Sequence, residues 1–413
     1  PDGSRVHPKI LFTRMIAQDE SAASQVEETA APEIQDLRSL TDAEVGEVLT
    51  GWGHKSYRTR QLLDWIYKKR VRTFDEMTDL SQVLRVQLSE AFRMQSLECA
   101  QEQVSSDGTV KFLWRLADGE FIESVLIPAS VGQDGNRSDR HTLCVSTQVG
   151  CAYGCKFCAS GIMGYRRNLE VFEIVDQVLS VERWRRNHLV ESGEYTEETL
   201  PKGQTLVNNL VIMGMGEPLA NYDNLTKSLH ILNAPWGMNI GARKITVSTS
   251  GLVPQIRMLA EEPQQYHLAI SLHGATDEVR SQIMPINRKY PLEALFSACE
   301  AYQQAKGRMI WVEYILIDEI NTGMDQVEAL VGLAKRLQCK VNLIPYNPVG
   351  GLEWKRPSGE TVSRFRDALH HRGVRVTVRT EKGTDIDAAC GQLRLKTEQT
   401  AANQALGQAA ETA

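Results

Sequence analysis

Apolar positions in this chain recur at two spacings, and the change from one to the other divides it. Between about 37 and 98 the spacing is helical: Thr41-Asp-Ala-Glu44 reads as a capping box opening an apolar period, and Leu62, Leu63, Ile66 and Tyr67 repeat at helix intervals. A small helical accessory domain is expected over 37–98. The runs 109–116 and 121–127 read as strands around Asp118-Gly119, a hairpin signal, so 99–140 is expected to be a β extension or linker. From 141 onward, strand-like runs at 141–149, 206–214, 243–249, 266–272, 309–317 and 340–345 interleave with helical ones near 170–188, 222–233, 252–262, 291–306 and 325–337. Six such repeats predict an α/β fold whose parallel sheet curls into a partial (β/α)6 barrel, assigned to 141–394. Folds of this kind bind ligands at the C-terminal ends of their strands. Residues 191–204 are polar and read as an exposed excursion, while 1–36 and 395–413 read as disordered tails.

Composition fits a soluble enzyme of two or three domains: 413 residues, 42% hydrophobic and 24% charged. No run approaches the ~18 apolar residues of a membrane span. The chain starts on Pro1, Met15 is a candidate initiator, and no apolar stretch after either reads as a signal peptide. A net charge of −6 argues at first against a nucleic-acid partner, but its distribution reverses that. Asp19, Glu20, Glu27, Glu28, Glu33 and Asp36 sit in 15–36 with no Lys or Arg, leaving the remainder near neutral. Residues 51–72 carry Lys55, Arg58, Arg60, Lys68, Lys69, Arg70 and Arg72 against Asp64, interleaved with Trp52, Tyr57, Trp65 and Tyr67. That pattern suits a phosphate-tracking surface. A solvated helix with its aromatics turned to the core fits it equally well.

Chemistry enters with the cysteines at 99, 144, 151, 155, 158, 299, 339 and 390, three of them in one loop. Such clustering points to cofactor ligation in a reducing cytoplasm rather than to a disulfide framework. Cys151, Cys155 and Cys158 have the spacing C-x3-C-x2-C, which can hold three irons of a [4Fe-4S] cluster and leave the fourth open to a small molecule. Zinc is the competing metal, but no second paired motif completes four ligands. Three unrelated core cysteines are disfavoured by Gly150, Gly154 and Gly161 around them. The spacing resembles the radical S-adenosylmethionine (radical SAM) superfamily, which implies that molecule as cofactor.

Further candidates stand at strand ends. Met213-Gly-Met-Gly216-Glu217-Pro218 closes the second barrel strand, its glycines letting a ligand approach while Glu217 offers a carboxylate to an ammonium group. By resemblance this is the superfamily's motif for the amino group of S-adenosylmethionine. Ser248 ends the third strand, Ser271-Leu272-His273 the fourth, and Asn347 follows the sixth. Each alone reads more simply as a cap or turn former, whereas convergence of four strand ends on a cluster loop favours a cofactor site.

Cys144 and Cys390 narrow the reading. Together with C-V-S-T-Q-V-G-C, G-M-G-E-P, S-T-S-G, S-L-H and D-A-A-C-G-Q, occurring in that order, they resemble the RlmN family of ribosomal-RNA adenine methyltransferases over roughly 37–394. The resemblance implies that Cys390 takes a methyl group from one S-adenosylmethionine and that a second is cleaved to a radical that activates this methyl group, so two are consumed per turnover with one [4Fe-4S] cluster per chain. It further implies that the methyl carbon joins the adenine, that Glu123 accepts the ring proton, and that Cys144 resolves the covalent species as a disulfide with Cys390. A radical route suits carbon 2 of adenine, which is electron-poor and not nucleophilic. The partners implied are 23S ribosomal RNA, transfer RNA and an electron donor such as flavodoxin or ferredoxin, with no membrane and a monomeric state expected. Against the commoner family pattern, 129–140 is a longer link, and 191–204 and the tails are additional. Two alternatives stand beside this reading: a Cfr-type enzyme acting on carbon 8, and a non-catalytic iron–sulfur or RNA-binding protein.

Overall fold

Thr41 caps the first helix as its sequence requires: its hydroxyl accepts the Glu44 amide at 3.3 Å, and the Glu44 carboxylate accepts the Thr41 amide at 2.7 Å. A computed structural model of the protein describes residues 34–129, 138–348 and 353–379, together with 382, 383, 385, 386, 394 and 397. The expected tails therefore lie outside the described residues except for 34–36 and 397, as do most of the link 129–140 and Cys390. The capped helix is α1 (Asp42–Gly51). Next come α2 (Tyr57–Leu63), which widens into a π-helical segment over Asp64–Lys69, and α3 (Gln82–Ala91). Their apolar faces, among them Val45, Leu49, Leu62, Ile66, Leu84 and Leu88, are buried. Arg38, held by Asp36 at 2.8 Å, ties this region to the barrel through its ion pair to Asp176 at 2.5 Å, all three side chains being buried.

Four antiparallel strands follow: β1 (Glu98–Val104), β2 (Val110–Arg115), β3 (Phe121–Pro128) and β4 (His141–Cys144). The chain then forms a separate hairpin, β5 (Gln148–Gly150) and β6 (Tyr165–Asn168), enclosing the short α4 (Ala159–Ile162) and leading to α5 (Val171–Glu191). The remaining elements alternate: β7 (Asn209–Ile212), α6 (Tyr222–Asn233), β8 (Ile245–Thr249), α7 (Val253–Glu261), β9 (His267–Ser271), α8 (Asp277–Ile283), α9 (Leu292–Lys306), β10 (Trp311–Leu316), α10 (Met324–Leu337), β11 (Lys340–Pro345), α11 (Gly359–His371) and β12 (Arg375–Val378). One ten-stranded sheet runs β1-β2-β3-β4-β7-β8-β9-β10-β11-β12, parallel from β4 onward. In β8, Ile245-Thr-Val-Ser-Thr249, every residue is buried, as expected for a β-branched strand covered on both faces.

The expected α/β barrel strands and the 109–127 hairpin are all present, and 191–204 is largely exposed. Helices α4, α8 and α11 were not expected, and three features of the strands differ from the sequence expectation. The run 141–149 is two strands in two sheets, because Cys144 ends the barrel strand and Val149 pairs with Arg167. A seventh parallel strand, β12, lies at the sheet edge, where its alternating, half-exposed Arg375-Val-Thr-Val378 gives a weak apolar signal. Last, β1 was not expected, since Glu98–Val104 is polar and mostly exposed. No helix among the described residues is long and apolar enough to cross a membrane.

Candidate functional site

The C-terminal ends of the parallel strands open on a cavity of about 380 Å³. Cys144, the last residue of β4, pairs in register with Val125 of β3 and Val211 of β7, and all three line this cavity. Cys151, Cys155 and Cys158 line it from the loop after β5. Gly150 makes their approach possible: its φ is 76°, and a Cβ there would come within 1.8 Å of the Gly164 carbonyl. The loop is held by its own backbone, with the Cys151 amide donating to Gly164 O (3.0 Å), that of Lys156 to Ile283 O (3.1 Å) and that of Cys158 to Cys155 O (3.1 Å).

Burial pushes the Cys151 thiol up to about 12 and Cys155 well above the ordinary thiol range. Thiols so desolvated ionise only against a compensating positive charge, which bound iron supplies. Among the described residues no three His, Cys, Asp or Glu groups are spaced to grip a single ion. The three cysteines instead border a space that accommodates a bulkier group, so the donor set fits an iron–sulfur cluster.

Glu217 lies in the segment after β7 and lines the cavity together with the cysteine loop. Its carboxylate accepts the Ser250 amide at 2.7 Å and the Leu219 amide at 3.1 Å, and burial raises its pKa. Two lone pairs per oxygen leave room for an incoming ammonium group. Gly216 has φ of 99°, and a Cβ there would sit 2.5 Å from the Gln148 side chain, whose Oε1 accepts the Glu217 amide at 2.8 Å. Ser248, Ser271, His273 and Asn347 also line the cavity. His273 has φ of 59°, and its Nδ1 accepts the Ile315 amide at 3.0 Å, which leaves the ring proton on Nε2 as a donor. Burial, helped by the Arg280 charge, pulls its pKa down to about 3, so the ring is neutral. Asn347 Oδ1 accepts from Arg356 Nη1 at 2.7 Å.

Other expected site residues stand apart from the cavity wall. Leu272 is buried and does not line it. Glu123 is also buried beyond the lining: its carboxylate pairs with Lys111 Nζ at 2.9 Å and accepts the Arg394 amide at 2.7 Å. It shares a face of β3 with Val125, two residues along, which does line the cavity. Cys390 lies outside the described residues, but positions on either side of it are fixed. Asp385 accepts from the Ser105 hydroxyl (2.5 Å) and the Ser106 amide (2.9 Å), and Arg394 Nη2 pairs with Glu120 at 3.0 Å.

Sequence reading missed Glu313, Ser250, Arg379 and Lys382, all of which line the cavity. Glu313 left a signal, a lone carboxylate within the apolar run Trp311-Val-Glu-Tyr-Ile-Leu316; burial raises its pKa, and Asn342 donates to it at 2.9 Å. The basic segment 51–72 needs correction at Arg70, which is buried, pairs with Glu182 at 3.3 Å and donates to Gln204 O at 2.7 Å. Its φ of 61° at the end of the π-helical segment turns the side chain inward. Trp65 and Tyr67 are core residues as well, whereas Tyr57 is exposed with the Arg58 guanidinium 4.9 Å from its ring.

Comparison with known proteins matches residues 35–94 to the ribosomal RNA large subunit methyltransferase N-terminal domain and 145–331 to the radical SAM superfamily. The chain is 50% identical over 368 residues to the "Probable dual-specificity RNA methyltransferase RlmN" of Akkermansia muciniphila, covering 89% of this chain and 98% of that one. It is 47% identical over 358 residues to the dual-specificity RNA methyltransferase RlmN of Anaeromyxobacter dehalogenans, covering 87% and 91%. Among solved structures, a radical SAM methyltransferase from Sphaerobacter thermophilus superposes with a TM-score of 0.78 at 44% identity, over 87% of this chain and 98% of that one.

Proposed function

Because the chain belongs to the RlmN family of radical SAM RNA methyltransferases, we propose that it methylates carbon 2 of one adenine in 23S ribosomal RNA, and of the adenine 3′ of the anticodon in some transfer RNAs, by way of a methylated Cys390. The observation carrying this reading is convergence: Cys144, the three loop cysteines and Glu217 border one cavity at the strand ends.

A [4Fe-4S] cluster on Cys151, Cys155 and Cys158, with S-adenosylmethionine, supplies the radical chemistry that an electron-poor ring carbon demands. Glu217 receives the amino group of the cofactor, exchanging a buried, isolated carboxylate for an ion pair. Ser248, Ser271 and Asn347 offer hydroxyl and amide groups to the cofactor's polar edges, and neutral His273 offers its Nε2–H. Leu272 lies between Ser271 and His273 and holds their strand end through the bond from its amide to Glu313 O (3.0 Å). Cys390 carries the methyl group, Glu123 takes the ring proton, and Cys144 attacks the Cys390 sulfur to free the product, leaving a disulfide. A target base must leave its stack to reach such a cavity. The exposed or half-buried cations of the helical region, Lys55, Arg58, Arg60, Lys68, Lys69 and Arg72, are placed to track RNA phosphates. A flavodoxin or ferredoxin donor, a monomeric state and a cytoplasmic setting complete the proposal.

The test is anaerobic reconstitution with iron and sulfide, then assay with a reductant, S-adenosylmethionine and unmodified 23S RNA fragment, products being read by mass spectrometry. Formation of 2-methyladenosine with 5′-deoxyadenosine and S-adenosylhomocysteine is expected. Formation of 8-methyladenosine instead would transfer the chain to Cfr-type specificity, and an intact cluster without cofactor cleavage would overturn the enzymatic reading.

A further inference from the structure

Arg280, on α8, is a guanidinium wholly removed from solvent with no ion pair among the described residues. Its hydrogen bonds all go to neutral acceptors: Nε to Leu272 O (3.1 Å), Nη1 to Asn287 Oδ1 (2.7 Å) and Nη2 to Ser250 O (2.5 Å). Asp277 is one step removed, its carboxylate being taken by Asn287 Nδ2 and the Leu292 amide, both at 2.9 Å. An isolated buried cation is costly, and a fold that keeps one normally sets a negative charge nearby. α8 packs against the cysteine loop. The Ile283 carbonyl, one turn past Arg280, accepts the Lys156 amide from the loop between Cys155 and Cys158. The two carbonyls Arg280 holds belong to residues beside Thr249 and Ser271, the last residues of β8 and β9, which both line the cavity.

We propose that Arg280 is the built-in counter-charge of the iron–sulfur cluster: a positioning residue that joins the ends of β8 and β9 beside the cysteine loop and raises the cluster's reduction potential. The inference rests on the reading of Cys151, Cys155 and Cys158 as ligands. A [4Fe-4S] cluster with three thiolates is already anionic, and the electron that reduces it adds a further negative charge. A fixed cation in a low-dielectric setting stabilises the reduced form more than the oxidised one, an outer-shell influence of the kind that tunes such centres.

The experiment is a dithionite titration of the reconstituted full-length protein, with the reduced cluster followed by electron paramagnetic resonance alongside iron and sulfide content and thermal unfolding. Arg280→Gln, which removes the charge, is expected to move the potential negative by at least ~59 mV, a tenfold change for a one-electron couple. Arg280→Lys, which keeps the charge but loses the fork, is expected to unfold at lower temperature with its potential close to that of the parent. A merely structural Arg280 would lower the unfolding temperature in both variants and move the potential in neither. Should Arg280→Gln not fold, Arg280→Met removes the charge while keeping an unbranched side chain of similar length, and the same negative shift is expected. Full iron content with an unchanged potential, in whichever of these two variants folds, overturns the inference alone. A parent protein that takes up no cluster overturns the reading of the cysteine loop, and this inference with it.

Discussion

At the scale of single residues, the site is built from groups that burial holds in one protonation state. His273 shows this most directly: its Nδ1 is committed to the Ile315 amide, and its folded pKa is about 3. In the unfolded chain an imidazole titrates near 6.5, so between these values only the unfolded chain binds the proton. The sign follows: stability from this group is complete above about pH 6.5 and declines as pH falls toward 3, by up to ~1.4 kcal/mol per pH unit. Urea unfolding at pH 7.5 and pH 5 is expected to give a larger acid loss for the parent than for His273→Gln. Equal losses in the two proteins would assign the acid sensitivity to other groups. Gly216 acts through shape instead, since no larger residue fits against Gln148 without displacing the Glu217 amide.

Elements decide which charges of a basic segment reach solvent. Over 51–72 the sequence places seven cations, yet the π-helical segment Asp64–Lys69 and the left-handed turn at Arg70 send them in different directions. Lys68, half-buried, pairs with Asp64 at 2.6 Å and Lys69, exposed, lies over the Trp65 ring, while Arg70 enters the core against Glu182. Charge reversal at Lys68 and Lys69 is therefore expected to weaken RNA binding and flatten its salt dependence by about one to two units in a log–log plot. Arg70→Glu sets a second carboxylate beside buried Glu182, and a stability loss of about 3–5 kcal/mol is expected before any effect on RNA is read. Affinity measured from 50 to 300 mM salt, with chemical denaturation in parallel, checks both. An unaltered salt slope in the double lysine variant would remove these residues from the RNA surface.

The whole molecule brings the β extension to both flanks of Cys390. Asp385 is fixed to the β1–β2 turn at Ser105 and Ser106, and Arg394 to Glu120 and Glu123 at the β2–β3 hairpin. Should Cys390 carry the methyl group as proposed, attachments on both sides of it in sequence would serve to keep a reacting group near its partner. Asp385 does not itself line the cavity, so Asp385→Ala is expected to lower the rate of product formation on the order of tenfold while S-adenosylmethionine still binds. Single-turnover kinetics beside equilibrium cofactor binding separates the two effects. Loss of binding in proportion to rate would make Asp385 part of the cofactor site instead.

The sequence by itself determined what local spacing can encode. Helical and strand periods place the barrel elements, the Thr41 and Glu44 pair starts α1, and C-x3-C-x2-C with Gly-Glu-Pro marks a candidate cluster loop and a candidate ammonium acceptor because each is a short stretch with its own chemistry. Packing alone decided the rest. Arg394 meets Glu123 across 271 positions, and Arg280 of α8 reaches Ser250 O just past the end of β8, 30 positions away. Arg70 differs from Lys69 only by a turn of backbone, yet one is core and the other surface. Burial of a charge depends on which distant segments close over it, and that is a property of the assembled core rather than of any window of the chain.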